Sequence, residues 1–441
     1  MTTHSGPPPT KGKPDTTLSL YRLLAPQMLA NPYPLYDRLR TEAPVHWDPF
    51  LHAWVVTRYA DVLTVLHDVR FSAQRTPTPD VLTRMGLAAL SPIAQVMVQQ
   101  MLFMDPPAHT RLRSLAAKAF TPRRVDLLKP HIQEIVDSLL DRVQAQGRMD
   151  VIADLAYPLP AIVTAELLGV PTSDCDQLKA WSADFATMLG NFEHNPDHAP
   201  RVRRSLEEMT AYFRAAIRRQ AAGDRRQATG DRPVAGDRRQ AAGGGAPACG
   251  EGLLHALATA EHEGDRLSED EVIANVIITM VGGQETTTSM IGNGLLTLLH
   301  HPDQWQKLRA DPSLIPDAIE EMLRYESPIQ HTARMTAHDL EWGGQRLRQR
   351  QAVIAVLGAA NRDPERFPDP DRFDIGRPDN RHVAFGWAGH FCFGAPLARM
   401  EGRVAFETLL RRMPQLTLEP RPPTWQENLC YRGLTALPVR F

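Results

Sequence analysis

The segment Phe385–Arg399 has the residue types that chemistry at a metal or at a reactive sulfur requires. It contains one cysteine, Cys392, among glycines that allow a tight loop and the close approach of a flat ligand: Gly386, Gly389 and Gly394. A helix is predicted directly after the cysteine, because Pro396 favours an early helical position. The N–H groups and the dipole at that helix start would favour a thiolate, which is what a thiolate-bound haem iron needs. From this segment alone, a buried and unreactive cysteine remains the alternative.

A second group of residues lies inside a long apolar segment, at Gly282–Thr287. Two adjacent glycines in a helix interior cost about 1 kcal/mol each relative to alanine, and they permit a kink. Glu285 and Thr286 follow directly, and a carboxylate and a hydroxyl beside spare backbone carbonyls can hold water and transfer protons. The alternative is a glutamate that faces solvent and threonines that bond to the preceding turn. The segment by itself does not decide between the two.

Two pairs of charged residues have helical spacing. Glu321 and Arg324 are three positions apart, and each residue would lie on the same helix face. His109 and Arg113 are four positions apart, so they can reach an anionic group together. Taken alone, Glu321 with Arg324 is typical of an exposed helix surface, where such ion pairs contribute only about 0.2–0.5 kcal/mol, and His109 with Arg113 is typical of an exposed basic face.

The composition is that of an ordinary globular protein and argues against several classes. Hydrophobic residues make up 43% of the 441 residues and charged residues 23%, and the formal net charge of −2 gives no reason to expect a nucleic-acid partner. The four cysteines have no C-x-x-C spacing, so neither a disulfide framework nor a zinc site is indicated. No apolar run is long enough to predict a membrane span, and the start does not resemble a signal peptide. A cytoplasmic location is therefore expected.

The sequence predicts one domain with two accessory segments. Residues 1–15 are polar and proline-rich and are predicted to form a disordered tail, whereas residues 16–441 are predicted to form a single domain. Residues 220–250 contain Gly-Asp-Arg three times and are predicted to form a flexible surface insertion.

Apolar periodicity predicts a mainly α-helical fold with a smaller β component. Residues 110–220 are predicted to be largely helical. The other predicted elements are helices at Tyr33–Glu42, Glu269–His300, Ile315–Arg324 and Pro396–Met413, and strands at 52–57 and 434–441. Ser268 and Glu271 give the longest helix an N-terminal capping signature.

The order and spacing of these motifs resemble the cytochrome P450 superfamily, in particular its soluble bacterial members. The resemblance covers residues 31–441 apart from the insertion. It rests on Asp105–Arg113 with Ala119–Arg123, Gly282–Thr287, Glu321–Arg324, Asn361–Phe367 with Asp371–Phe373, and Phe385–Arg399. The resemblance implies a large helical part with a small β-rich lobe. It also implies haem b (iron protoporphyrin IX), buried between helix I of the family, here 269–300, and the cysteine loop.

The resemblance also implies a role for each candidate residue. Cys392 corresponds to the proximal iron ligand, and Glu285 with Thr286 corresponds to the acid–alcohol pair of proton delivery. The expected haem contacts, the first four of them to the propionates, are His109, Arg113, Arg334, His390 and Phe385. Arg372 would complete a buried structural cluster with Glu321.

The cysteine loop departs from the family pattern at Ala388, four positions before Cys392, where the family usually has glycine. If this position requires a positive φ, alanine would cost about 1 kcal/mol or force a local rearrangement. The departure concerns the geometry of the loop and not the identity of the iron ligand.

The activity implied is that of a monooxygenase, which inserts one oxygen atom of O₂ into an organic substrate and releases the other as water. The sequence has no flavin or iron–sulfur motif and ends right after the last expected strand, so electrons are expected from a separate ferredoxin with its reductase. Basic residues expected on the proximal side could attract that acidic partner: Arg111, Lys118, Arg399 and Arg403. We expect a monomer.

Two alternative functions remain at this point. A peroxygenase driven by hydrogen peroxide would share the haem site, but the pair Glu285–Thr286 argues against it. A non-catalytic helper protein of the same fold is the other alternative, and the presence of Cys392 argues against it.

The substrate is expected to be a medium or large apolar molecule, such as a fatty acid, terpenoid, steroid or polyketide. The residues predicted to line its pocket are Val81, Leu82, Met85, Leu87, Leu90 and Ile93 in one segment, and Phe185, Met188, Leu189 and Phe192 in another. Gln330 and His331 are the predicted polar contacts.

Overall fold

A computed structural model describes residues 16–119, 122–191, 199–228, 252–262 and 265–441, and helices dominate them. The α-helices are α1 (Pro26–Ala30), α2 (Tyr33–Glu42), α3 (Tyr59–His67), α4 (Pro79–Arg84), α5 (Ser91–Met97), α6 (Ala108–Ala119), α7 (Pro122–Gln144), α8 (Pro158–Leu168), α9 (Cys175–Asn191), α10 (Ala199–Ala228), α11 (Leu253–Thr259), α12 (Glu269–His300), α13 (Pro302–Ala310), α14 (Ile315–Tyr325), α15 (Leu357–Ala360) and α16 (Ala395–Arg412). The predicted helix bounds agree with α2 and α12, and they differ by one residue at an end for α14 and at each end for α16.

The strands are short and form a small β part. They are β1 (Val45–Asp48), β2 (Ala53–Val56), β3 (Phe71–Ser72), β4 (Arg148–Asp150), β5 (Glu261–His262), β6 (Asp265–Arg266), β7 (His331–Thr336), β8 (Leu340–Trp342), β9 (Gln345–Leu347), β10 (Ala352–Val356), β11 (Thr417–Leu418), β12 (Thr424–Trp425), β13 (Leu434–Ala436) and β14 (Pro438–Arg440). The largest sheet has the order β1-β2-β10-β7-β3, in which β10 runs parallel to β2 and antiparallel to β7. The predicted closing strand is divided into β13, which pairs with β12, and β14, which lies between β11 and β4.

Helix α12 lies at the centre of the molecule because it is apolar on nearly every face. Its first half packs in one hydrophobic cluster with α9 and α10, and its second half packs in another with α7, α14 and α16. The predicted cap is present, since the Ser268 hydroxyl accepts from the Glu271 N–H and the Glu271 carboxylate accepts from the Ser268 N–H. The helix runs through the two glycines without a break.

The cluster around Glu321 is buried as expected, but its third member was predicted wrongly. Glu321 and Arg324 are fully buried and form a bidentate ion pair, with N···O distances of 2.7 and 2.8 Å. Arg377, not Arg372, supplies the second guanidinium, with its Nε 3.2 Å from both Glu321 oxygens. The Arg372 side chain is 68% exposed, whereas its carbonyl accepts from Arg324 and Arg377. The backbone turns at Arg372 so that its carbonyl faces the cluster and its side chain faces away. The side chain of Arg377 is the one that reaches Glu321.

Several predicted features lie outside the described residues. These are the tail 1–15, Cys249 and Phe192. Helix α10 continues through the first Gly-Asp-Arg to Ala228, and residues 229–250 of the predicted insertion are also outside the described residues. In the part of the chain that is described, no helix has the length and hydropathy needed to cross a bilayer.

Candidate active site

The loop that carries Cys392 is held by its own backbone. The Cys392 N–H donates to the Phe385 carbonyl at 2.8 Å, and the Phe391 N–H donates to the Ala388 carbonyl at 3.1 Å. Gly386 has a φ of 72° and Ala388 a φ of 55°, both in the left-handed region. Position 388 therefore requires a positive φ, and its alanine adopts this conformation at a cost of about 1 kcal/mol.

The Cys392 side chain faces a cavity, where it remains accessible. Burial raises the pKa of its thiol, while the N–H groups of Gly394 and Ala395 and the guanidinium groups of Arg113 and Arg399 act in the opposite direction. The sulfur thus lies at the start of α16 among donors and cations, which favour its charged form once a metal compensates for the burial.

The cavity measures about 470 Å³ and is bounded by both predicted motifs. Cys392 and Phe385 line it from the cysteine loop, and Gly282 and Thr286 line it from α12. A Cβ at Gly282 would meet no atom within 4 Å, so the glycine widens the cavity at this wall. Its apolar lining includes Met97, Met101, Leu102, Phe103, Leu189, Ile278, Ile329 and Leu429.

All four predicted propionate partners line the same cavity: His109, Arg113, Arg334 and His390. The two imidazole rings lie 4.1 Å apart, and the Nε2 atom of His109 is buried without a hydrogen-bond partner among the described residues. Burial and the nearby Arg334 lower the pKa of His390 to about 3, and burial lowers the pKa of Arg334 to about 10. Arg113 and Arg334 thus supply positive charge beside two imidazole rings that can donate hydrogen bonds, and an anionic ligand with carboxylates would stabilise this arrangement.

Arg75 is a further basic side chain in this cavity, and the sequence reasoning missed it. Burial, followed by the charge of Arg334, lowers the pKa of Arg75 to about 9. No sequence signal distinguishes it from Arg70 and Arg84, which lie in the same stretch of the chain but are paired with Asp68 or exposed.

The two residues of the predicted acid–alcohol pair face different surroundings. Thr286 lines the cavity, and its hydroxyl donates to the Gly282 carbonyl at 2.6 Å. Glu285 is buried against α9, where its carboxylate lies 3.3 Å from the Lys179 ammonium and 3.5 Å from the Ser182 hydroxyl. The glutamate is therefore not exposed to solvent, and the helix connects the cavity wall to a buried ion pair.

Glu401 is another residue that the sequence reasoning missed. It lies on α16, lines the cavity and is 2% exposed, and its Oε2 atom has no hydrogen-bond partner among the described residues. Burial raises the pKa of this carboxyl well above its usual value. The sequence shows that Glu401 follows Cys392 closely in the chain, but only the tertiary structure reveals that its side chain is buried.

Most of the predicted pocket lining is wrong. Among the predicted lining residues that the structure describes, only Leu189 and His331 line the cavity, whereas Met85 and Leu87 are exposed on the surface. Gln330 instead accepts from the Tyr36 hydroxyl and donates to the Ser327 carbonyl. Periodicity identified apolar segments but not the side of each segment that faces the cavity.

The predicted basic residues are paired within the protein. Arg111 bonds to Asp265 and Glu271 and so joins α6 to the start of α12. Arg399 forms a bidentate pair with Glu320, and Arg403 pairs with Glu407. The side chain of Lys118 lies outside the described residues.

An accessible cysteine at a helix start, a cavity fit for a flat ligand and a cluster of cations define a haem-thiolate protein. Comparison with known proteins identifies the family. The cytochrome P450 family model matches residues 46–429. The chain is 40% identical over 427 residues to the cytochrome P450 monooxygenase PikC of Streptomyces venezuelae, which covers 95% of this chain and 93% of that protein.

Solved structures agree with the sequence match. The structure of P450BioI in complex with an acyl carrier protein ligated to hexadec-9Z-enoic acid superposes with a TM-score of 0.82 at 36% identity, covering 95% of this chain and 100% of that chain. The myxobacterial cytochrome P450 CYP267B1 in complex with myristic acid gives 0.81 at 39% identity, covering 95% and 98%. The chain belongs to the cytochrome P450 family, binds haem b and is a monooxygenase of the bacterial type.

Proposed function

We propose that the protein inserts one oxygen atom of O₂ into an apolar organic substrate, with electrons from a separate ferredoxin and its reductase. The proposal rests on one observation: Cys392 and Thr286 line the same cavity, and much of the remaining lining is apolar. When bound there, haem b supplies oxygen activation and electron transfer. The protein's own residues bind, orient and deliver protons.

In this proposal Cys392 is the iron ligand, and the basic side chains that line the cavity bind the two haem propionates. His109, Arg113, Arg334 and His390 are suited to this role because all four line the cavity and lack carboxylate partners in the described part of the chain, apart from the charge of Asp105. Phe385 lines the cavity and is covered on its other side by the Arg399 guanidinium, 4.5 Å from the ring centroid. Phe385 would be one of the side chains that contact the haem.

Thr286 holds a proton-donating water at the cavity wall, in the proposed mechanism. Its hydroxyl donates to the Gly282 carbonyl, which leaves the oxygen lone pairs free to accept from that water. Glu285 relays protons from the other side of α12, and its ion pair with Lys179 must loosen before the carboxylate can accept a proton and pass it on.

The substrate class is proposed from the lining of the cavity. Methionine, leucine, isoleucine and phenylalanine side chains surround the space beside α12, which favours a medium or large apolar molecule. The lining includes His331, whose pKa burial lowers to about 4, so this side chain is neutral and contributes no charge. The similarity to the complex of CYP267B1 with myristic acid supports a long acyl chain as a first ligand to test.

The experiment that tests the proposal measures coupling, as product and hydrogen peroxide formed per NADH consumed with one fixed set of redox partners. Thr286→Ala should leave the haem content unchanged, because the residue makes no contact with Cys392. It should divert consumed oxygen into hydrogen peroxide, since protons no longer arrive in order. Thr286→Ser is the matched control, because it keeps the hydroxyl and should keep the coupling.

Two outcomes would contradict the proposal. Wild-type coupling in Thr286→Ala would show that this hydroxyl has no part in proton delivery. Product formation with hydrogen peroxide alone, at a rate that added NADH and ferredoxin do not raise, would instead identify a peroxygenase.

A further inference from the structure

Arg75 is a partly buried cation to which neither the sequence nor the proposed reaction gives a role. Its guanidinium lies 4.4 Å from the centroid of the Phe103 ring and donates long hydrogen bonds, of 3.4 Å each, to the carbonyls of Ala73 and Leu102. In the described part of the chain, no carboxylate forms an ion pair with it. A partly buried guanidinium loses hydration that no counter-ion of the described chain replaces, so we expect Arg75 to bind an anion from outside the chain.

The charges around Arg75 indicate which anion this is. Three guanidinium groups line the cavity, those of Arg75, Arg113 and Arg334, and the carboxylate of Asp105 lies close enough to affect Arg334. That carboxylate already accepts from the Ser72 hydroxyl and from the Ala73 N–H at 2.7 Å. Three positive charges thus face one negative charge, and the two propionates of haem b carry the two that are missing.

We propose that Arg75 binds a carboxylate at the edge of the haem, a propionate of haem b, and thereby fixes the wall of the substrate pocket. Its partners lie at the two ends of the segment 73–103: Ala73 at one end, and Leu102 with Phe103 at the other. The same segment supplies Met97 and Met101 to the apolar lining. A propionate bonded to Arg75 therefore connects cofactor binding to the shape of the pocket.

One other carboxylate would suit the same guanidinium, that of an acidic substrate such as a fatty acid. Both sources share the chemistry of a planar anion that accepts two parallel N–H bonds. They differ in what the loss of Arg75 changes, which is haem retention in one case and the affinity for the acid in the other. This distinction does not depend on the type of reaction that the enzyme performs.

The test compares Arg75→Gln, Arg75→Lys and the control Arg84→Gln in the haem-loaded protein. Arg84 is exposed on α4, in the same segment, so its loss changes the charge of the segment without touching the cavity. Transfer of haem to apomyoglobin should be about tenfold faster for Arg75→Gln, as expected for a lost charge-assisted hydrogen bond, and intermediate for Arg75→Lys. Arg84→Gln should match the wild type.

Two further readouts separate a propionate contact from a general loss of stability. The reduction potential should become more negative in Arg75→Gln, because a cation near the haem stabilises the reduced form, and it should be retained in Arg75→Lys. Amide hydrogen exchange in residues 97–104 should become faster in Arg75→Gln, while exchange in α16 stays unchanged.

A parallel titration with myristic acid and methyl myristate, read from the haem absorbance, distinguishes the two carboxylates. If Arg75→Gln retains haem like the wild type but loses affinity for the acid relative to the ester, the anion is the substrate's and the propionate assignment is wrong. If neither haem transfer nor acid affinity changes, Arg75 binds no carboxylate and the inference fails.

Discussion

Replacing Arg377 by methionine should destabilise the protein far more than replacing Arg372 by methionine. Arg377 is 8% exposed, and its Nε donates to both oxygens of the fully buried Glu321 at 3.2 Å. The same guanidinium donates to the carbonyls of Pro368 and Asp369, at 2.7 and 3.0 Å. Methionine keeps the length of the side chain and removes all of these bonds.

The size of the loss follows from what Glu321 retains. Removal of one partner from a buried ion pair costs about 3–5 kcal/mol when the other charge is left unpaired. Here Arg324 still neutralises Glu321 through two hydrogen bonds, so the lower end, about 3 kcal/mol, is expected for Arg377→Met. The Arg372 side chain is 68% exposed, and its nearest carboxylate, Asp374, lies 3.9 Å away, so Arg372→Met should cost less than about 1 kcal/mol.

Urea unfolding of the two haem-loaded variants, followed by far-ultraviolet circular dichroism, measures the difference. The unfolding midpoint should fall clearly for Arg377→Met and should stay near the wild-type value for Arg372→Met. Equal midpoints, or a larger loss for Arg372→Met, would refute the assignment of Arg377 to this cluster.

Three further predictions concern the cysteine loop and its support. Cys392→Ala should abolish the thiolate-type band of the reduced carbon monoxide complex while the far-ultraviolet spectrum is retained; a normal band in this variant would disprove the iron assignment. Ala388→Gly should raise stability by up to about 1 kcal/mol in urea unfolding, because relief of the positive φ exceeds the entropy that glycine adds to the unfolded chain. Burial alone would raise the pKa of Glu320, but Arg399 and His382 hold this pKa at about 2, below the ordinary 4.5. The ionised carboxylate should therefore contribute up to about 3 kcal/mol to the free energy of unfolding above pH 4.5. This contribution should be lost as the pH falls towards 2. Glu320→Gln should lack that part of the acid dependence, and an unchanged slope would show that the ion pair contributes little.

The sequence by itself determined the features that depend on local pattern and on motif order. The bounds of α12 follow from a capping box and an apolar run, because both act within a few residues of the chain. Cys392 could be recognised since its glycines and the following helix are its neighbours in sequence. The spacing of Glu321 and Arg324 within one helical turn was visible in the same way, but their burial was expected only from the resemblance to the family.

Only the tertiary structure decided which distant side chains meet. Arg372 and Arg377 lie in one irregular segment, whose backbone path cannot be predicted from sequence periodicity. That path brings the side chain of Arg377, and not that of Arg372, to Glu321. Arg75 and Glu401 have no distinguishing signal in the local sequence, and their places on the cavity follow from the packing of elements that are far apart in sequence. The pocket lining was mispredicted because an apolar residue packs equally well into the core or against a cavity, and the side it faces is set by how whole helices pack together.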